Sequence, residues 1–320
     1  MNKILVSVVL PVHNEAACLP ELNNRLCKAL ETITKEYEVI YVNDASTDES
    51  LGLMLSFHEK NDHVKIIDLS RNFGQQQAIS AGLDSAGGDF VVIMDSDLQD
   101  CPEDIPIFFK KILEGYDVVY AVRQQRKESF LKRFCFRLFY RILNLLSHVH
   151  QPVDSGIFSM MRRCAVDELC KMTERNKYVA GLRAFVGFRQ IGVLSSRGAR
   201  INSSPKNRMP SLLRLAFDAI FSFSYIPLRF GTYFGLIGAF FCFCWVSFIV
   251  LLRVLAYFNI IADRVVVRGL PTILIIQVIF GSLILISLGI IGEYIGRIYD
   301  EVKQRPYYIV KKRIGSFSKV

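Results

Sequence analysis

Val91-Val-Ile-Met-Asp95-Ser-Asp97-Leu-Gln-Asp100 is the stretch that decides how this chain folds. Four apolar residues run straight into two carboxylates spaced i, i+2. Gly87-Gly88 precedes the run and Pro102 follows it, so it has the length and the boundaries of a buried strand. Where such a strand leaves an open α/β sheet, ligands bind in the crevice at its carboxyl end. With the chain extended, Asp95 and Asp97 face the same side. Two hard oxygen donors aimed at one spot suit a Mg²⁺ or Mn²⁺ ion that keeps open positions for substrate phosphates. A D-x-D taken alone also suits a solvated strand end; the rest of the chain separates the two readings.

Working outward, Ile4 to Val12 reads as a first strand. It lacks a small-residue cleavage pattern and runs into His13-Asn14-Glu15, which sets it apart from a signal peptide. Glu15 to about Thr34 carries Leu19, Leu22, Leu26 and Leu30 at helical spacing, with Asn14 as the expected N-cap. Tyr37–Val42 is a second strand. It ends in Asn43-Asp44-Ala-Ser-Thr-Asp48, a polar turn suited to capping a helix over Asp48 to Lys60. Val64–Leu69 is a third strand, and Asn72-Phe-Gly74 turns into a helix from Gln75 to Ala86. After the Asp95 strand come a helix from Pro102 and a strand over Asp117–Val122. Strands alternating with helices predict a parallel, doubly wound, Rossmann-like α/β sheet. Asn14, Asp44 and Asp95 then fall together at the carboxyl ends of its strands.

The 320-residue chain is 51% hydrophobic with mean hydropathy +0.29, too apolar for an ordinary soluble enzyme and long enough for one large domain and a further region. A net charge of +9 fits nucleic acid, a membrane surface or an anionic substrate. Two long apolar segments turn that choice toward anionic lipid and phosphate and away from nucleic acid. The eight cysteines (18, 27, 101, 135, 164, 170, 242 and 244) make no C-x-x-C pair, so they read as reduced packing residues, with no zinc site and no disulfide framework.

Residues 123–147 hold seven Lys or Arg against the single acid Glu128. Phe130, Phe134, Leu138, Ile142 and Leu145 form one helical stripe; Arg133, Arg137 and Arg141 form another. A helix with a cationic face and an aromatic apolar face suits the plane of a membrane interface, and it also suits packing on a domain with its basic face solvated. A second such stretch spans about Pro210 to Phe223. Gly231–Leu252 and Leu270–Gly292 carry no charge over 22 and 23 residues, beyond the roughly 20 needed to cross a bilayer core. Arg297, Lys303, Arg305, Lys311, Lys312 and Arg313 follow the second segment, and Arg214 and Arg229 precede the first. The positive-inside bias predicts a multi-pass protein of the inner (cytoplasmic) membrane with its large domain and both termini cytosolic.

In this order the motifs carry a resemblance. They are Val9-Leu-Pro-Val-His-Asn-Glu15, Val42-Asn-Asp-Ala-Ser-Thr-Asp48, Leu69-Ser-Arg-Asn-Phe-Gly74, Met94-Asp-Ser-Asp-Leu-Gln-Asp100 and Val153-Asp-Ser-Gly156. Ser222-Phe-Ser, Pro227-Leu-Arg229 and Leu288-Gly-Ile-Ile-Gly-Glu-Tyr-Ile-Gly-Arg-Ile-Tyr299 complete the set. Nearly the whole chain resembles the membrane-bound family 2 glycosyltransferases that act on polyprenyl phosphates, bactoprenol glucosyltransferases among them and dolichyl-phosphate mannose synthase more distantly. The resemblance implies a GT-A fold, a nucleotide-sugar donor (a UDP-sugar such as UDP-glucose), an undecaprenyl-phosphate type of acceptor, inversion at the anomeric carbon, and a homo-oligomer, a tetramer in relatives. It implies that Pro11, Val12, Asn14, Glu15 and Asp44 hold the nucleoside. Asp95 and Asp97 hold Mg²⁺ or Mn²⁺ with Gln99 as a third ligand. Arg123, Arg126, Arg200 and Lys206 lie near phosphates, and Asp154 is the catalytic-site carboxylate of a D-x-G segment. It divides the chain into a nucleotide-sugar core (1–125), an acceptor side with interfacial helices (126–228) and a two-helix membrane region with a cytosolic tail (229–320).

Two departures fall on the acceptor side. After D-x-G the family has an acidic residue, an aromatic and an Arg; here Ile157-Phe158-Ser159 leaves that Arg out, and Arg162 and Arg163 are the nearest replacements in sequence. Pro205 and Asn207 stand where relatives have Ser and Tyr. Two other functions remain open at this point. A processive polysaccharide synthase needs a Q-x-x-R-W segment, but the one Trp, Trp245, lies inside the first apolar segment. A non-catalytic membrane scaffold on a transferase fold is at odds with the intact set Asp44, Asp95, Asp97 and Asp154.

Overall fold

Alternation sets the two faces of the first strand. In a computed structural model describing residues 5–123, 155–175, 177–195, 226–258 and 270–317, β1 (Val6–Val12) is buried along its whole length. Val6, Val8, Leu10 and Val12 face one core, and Val9 faces the other. A strand buried on both faces reads as a continuous apolar run, as this one does. Parallel neighbours lie on either side, β2 (Tyr37–Asn43) and β4 (Phe90–Ile93). β3 (Val64–Leu69) pairs parallel with β2 beyond.

The first core is covered by α1 (Leu19–Glu31), whose Leu19, Leu22, Leu26 and Leu30 are buried, with α2 (Ser50–Lys60) and α4 (Ile105–Leu113). The other face takes α3 (Gln75–Ser85), α5 (Arg163–Lys171) and α6 (Val179–Phe185). α3 lies very close to the sheet: a Cβ on Gly82 would come 2.2 Å from Val9 Cγ1. Only glycine fits that approach.

The sheet has eight strands in the order β7-β5-β6-β4-β1-β2-β3-β8. β5 (Val118–Arg123) and β7 (Gln190–Ser195) are parallel to each other. β6 (Ser155–Arg162) runs antiparallel between β4 and β5. The sheet is therefore mixed where the sequence predicts a parallel one. The helix–strand alternation that signals crossovers stops at Arg123, so β6 carried no orientation signal.

The last strand is the larger surprise. β8 (Val310–Ile314) pairs antiparallel with the outer edge of β3. It follows two long helices, α7 (Ile226–Tyr257) and α8 (Leu270–Val302). Two compact units result: one holds the sheet together with residues 305–320, the other holds the two helices. Tyr308, Val310 and Phe317 pack against the second core, and the Tyr308 hydroxyl donates to Asp84 Oδ2 at 2.8 Å. Val310-Lys-Lys-Arg-Ile314 has three charges in five residues and lacks the signature of a strand; its exposed edge position accounts for that.

α7 and α8 are long and apolar enough to cross a membrane, through Gly235–Leu252 and Ile276–Val302, and their side chains there are not buried in the protein. Phe240, Phe241, Phe243 and Leu285 are among the apolar residues left exposed. The two basic amphipathic stretches expected near 123–147 and 210–223 lie outside the described residues.

Candidate active site

Three loops meet at the carboxyl edge of β1, β2 and β4. The register sets Val12 beside Asn43 and Val9 beside Ile93, so the chain leaves the sheet on all three strands at one end. The turn after β4 is stitched to β1: Met94 N–H donates to Val9 O at 3.1 Å, and the Ser96 hydroxyl donates to Pro11 O at 2.8 Å. Ser96 and Leu98 are buried while Asp95 and Asp97 are half-buried. β4 ends at Ile93 and Leu98 has φ 59, so the two carboxylates stand in a turn that leaves the strand rather than on an extended segment.

Their surroundings hold them there. Gln75 Nε2 donates to Asp95 Oδ1 at 2.5 Å. The Gln99 N–H donates to Asp97 Oδ1 at 3.1 Å, and the Asp95 N–H reaches Asp100 Oδ2 at 3.3 Å. Among the described residues no cage of three or more metal-ligating side chains forms. Two carboxylates are nevertheless the kind of donor set that suits an ion that keeps waters and takes the rest of its shell from phosphate oxygens. The residues present fit Mg²⁺ or Mn²⁺. Gln99, the expected third ligand, is 9% exposed, with its backbone against Asp97.

The residues expected to hold a nucleoside form a second set. Asn14 is not an N-cap. It has φ 57, and α1 starts only at Leu19. Its Oδ1 accepts the Thr47 N–H at 2.8 Å, and its own N–H donates to Ser46 Oγ at 3.2 Å. Asn tolerates the left-handed region better than most residues, and here that conformation ties the β1 loop to the β2 loop. Asp48 joins the same stitching. Its Oδ1 accepts the Ser50 N–H at 3.0 Å just before α2, whose N-cap is Glu49, and its Oδ2 accepts the Ala16 N–H at 3.2 Å. Burial raises its pKa, but the bonds from Ser50 and Ala16 outweigh that and hold it below the usual value. Glu15 is buried with its N–H on Ser50 Oγ at 3.0 Å. Pro11 and Val12 lie buried within β1.

Asp44 is 3% exposed. Its two oxygens accept the N–H groups of Phe73 and Gly74 at 2.7 and 2.9 Å. Gly74 sits at φ 107, a conformation open to glycine at little cost, and α3 starts one residue later. The Asp44 carboxylate therefore fixes the turn that carries Gln75 to Asp95. The expected outcome for Asp44→Asn follows. An amide would face one of those N–H groups with an NH₂, losing about 2 kcal/mol of charge-assisted bonding and releasing Gln75. Thermal unfolding should register the loss, and an unchanged melting temperature would count against the clamp.

With that geometry in view, residues 7–170 match the family model for glycosyl transferase family 2. The chain belongs to this family. It is a glycosyltransferase with the GT-A fold. It is 41% identical over 313 residues to the uncharacterized glycosyltransferase YkcC of Bacillus subtilis, covering 98% of this chain and 95% of the relative. It is 35% identical over 308 residues to the bactoprenol glucosyl transferase of Shigella phage SfII, covering 96% and 97%. Among solved structures, glucosyl-3-phosphoglycerate synthase from Mycobacterium tuberculosis is similar at 19% identity and TM-score 0.47, over 69% of this chain and 78% of that one.

Of the residues expected near phosphates, Arg123 ends β5, paired with Ser195. Asp154, Arg126, Arg200 and Lys206 lie outside the described residues. Arg162 and Arg163 do not replace the Arg absent from 157–159. Arg162 pairs with Phe90 at the start of β4, so it stands at the opposite end of the sheet from the site. Its guanidinium bonds Ile112 O and Tyr116 O at 2.8 and 3.2 Å. Arg163 Nε bonds Gly88 O at 2.9 Å at that same far end. A strand of eight residues carries its ends to opposite edges, which proximity in sequence does not reveal. Gln75, Gln76 and Arg183, which the sequence did not single out, stand close to the site instead.

Proposed function

We propose that this transferase moves a single sugar from a nucleotide sugar, a UDP-hexose such as UDP-glucose, to the phosphate of a polyprenyl (undecaprenyl) lipid at the cytosolic face of the inner membrane. The observation that carries this reading is the turn after β4 that holds Asp95 and Asp97 at the carboxyl edge, with Asp95 bonded to Gln75 and Asp44 bonded to the Gly74 turn just before it. Relatives that match along almost the whole length and are named for bactoprenol support the acceptor. Asp95 and Asp97 would hold Mg²⁺ or Mn²⁺, which when bound supplies Lewis-acid charge to the departing diphosphate. The loops of Asn14 and Asp44 would seat the nucleoside, and Arg123 at the end of β5 would meet phosphate as a fixed cation.

The acceptor phosphate is already an anion, so it needs little help to attack the anomeric carbon in line. Asp154 would then orient acceptor or sugar rather than remove a proton. Catalysis would rest on positioning and charge stabilisation. The tail supports the topology: β8 hydrogen-bonds to β3 in one sheet. The chain before α7 and the chain after α8 then share a compartment, which fits an even number of crossings.

The test is transfer from a panel of labelled nucleotide sugars to undecaprenyl phosphate, using purified full-length protein with Mn²⁺ or Mg²⁺ and an EDTA control. One labelled, EDTA-sensitive lipid is the expected product. Donor binding without any labelled lipid would overturn the acceptor.

A further inference from the structure

Arg183 is a buried cation that meets no buried anion among the described residues. It is 2% exposed and heads the fully buried side chains by volume among the described residues. Nη1 donates to Gly156 O at 3.0 Å. The guanidinium carbon lies 4.9 Å from the centroid of the Tyr120 ring. Nε is buried and makes no hydrogen bond. Among the described residues no carboxylate is recorded against it. Burial lowers its pKa to about 10, so it stays charged at neutral pH. Burying a guanidinium in this way is unfavourable unless an anion joins it. A single carbonyl and one ring face do not replace a counter-ion.

Its position is what gives this meaning. Gly156 lies at the start of β6, at the carboxyl edge, because Ser155 pairs with Val122 near the end of β5 and Ser159 pairs with Ile93 at the end of β4. Tyr120, under the guanidinium, pairs with Ser159. Arg183 therefore stands beside Ser159, where the family resemblance implies an Arg that this chain lacks. α6, which carries it, is held at both ends. The Val179 N–H donates to Gln76 Oε1 at 2.9 Å, and Gln190 Nε2 donates to Arg183 O at 2.8 Å. Gln76 follows Gln75, the residue bonded to Asp95, so adjacent residues of α3 tie this helix to the D-x-D turn.

We propose that Arg183 is an anion-binding residue of the active site, whose guanidinium takes a phosphate group of the reacting pair beside Gly156. The naming of that group rests on the proposed function. The recognised chemistry is a phosphate oxyanion, supplied either by the lipid phosphate monoester or by the donor diphosphate. Arg183 makes and breaks no covalent bond.

The experiment compares full-length wild type with Arg183→Gln, Arg183→Met and Arg183→Lys. It records thermal unfolding without ligand, with inorganic phosphate and with UDP plus Mn²⁺, together with the KM for undecaprenyl phosphate. Arg183→Met should melt at or above the wild-type temperature without ligand, since it removes an uncompensated charge. It should lose the phosphate-dependent rise that wild type shows. If the lipid supplies the phosphate, Arg183→Gln raises the acceptor KM tenfold or more and leaves UDP affinity unchanged. If the donor supplies it, UDP affinity falls tenfold or more and the acceptor KM holds. Arg183→Lys, which keeps the charge without the planar fork, should recover part of either loss. The proposal is overturned if the variants melt lower without ligand while phosphate response, UDP affinity and acceptor KM stay at wild-type values; Arg183 would then only brace β6. A wild type that labels no lipid defeats the proposed function, whereas the phosphate and UDP shifts still report on Arg183.

Discussion

Asp97→Asn should abolish detectable sugar transfer, a loss of at least about 10³-fold, corresponding to roughly 4 kcal/mol of transition-state stabilisation. The substitution keeps the shape of the side chain. Its Oδ1 can still accept the Gln99 N–H that Asp97 accepts at 3.1 Å. The turn should stay folded, held by the Ser96 hydroxyl on Pro11 O. What disappears is one negative charge from a two-carboxylate donor set, and an amide oxygen is a weak partner for Mg²⁺ or Mn²⁺. Metal-dependent UDP binding should fall with activity, while the ligand-free melting temperature stays within a degree or two. Wild-type turnover in Asp97→Asn would remove this residue from the site. A large drop in melting temperature would make the loss of activity uninformative, and Asp95→Asn would then be measured beside it.

The second large effect lies at the other end of the sheet and concerns stability alone. Glu38 is 2% exposed, sits on β2 and accepts three bonds. Ser7 Oγ lies at 2.5 Å from its Oε1, Gly87 N–H at 2.7 Å from the same oxygen, and Lys65 Nζ at 2.6 Å from Oε2. One carboxylate thus joins β1, β2, β3 and the turn before β4. Glu38→Ala would strand a nearly buried ammonium, a hydroxyl and a backbone amide at once. Breaking a buried pair on one side costs about 3–5 kcal/mol, equivalent to a melting temperature lower by on the order of 10 °C for a domain of this size. Glu38→Leu combined with Lys65→Met should recover most of that, because the uncompensated charge goes with its partner. Differential scanning fluorimetry on the three proteins decides it; a single variant as stable as wild type would mean that water replaces the carboxylate. Folded Glu38→Ala should still bind UDP, since the cluster sits at the amino ends of the strands.

Much of this fold follows from local pattern. β3 begins and ends at the residues that alternation and turn chemistry predict, Val64 and Leu69. α3 opens at Gln75 directly after the Gly turn. The placing of Asn14, Asp44 and Asp95 at one edge was legible for the same reason, since a parallel strand fixes which end its loop leaves from. What was illegible depends on distant partners. Asn14 looks like a cap in sequence and is a cross-loop bridge in space, because Thr47 competes for its side chain. Asp44 looks like a ligand-facing acid, yet both oxygens hold backbone of the 72–74 turn. Arg162 and Arg163 look close to the D-x-G segment and are carried away from it by β6. Arg183 carries no signal at all, as an Arg in Gly-Leu-Arg-Ala-Phe has the look of a surface residue until the helix packs it inward.

The strand that closes the sheet is made last. β3 leaves the ribosome early, and its outer edge has no partner until everything through Val310 has been synthesised. At about 5–20 residues per second, that edge waits on the order of tens of seconds. During that time it is an open template for any passing strand, including one from a second nascent copy. The sheet can be completed only after both long helices have been synthesised, so its assembly is ordered: β3 early, the strand on its outer edge last. A message truncated between α8 and β8 would yield a protein whose β3 edge stays exposed.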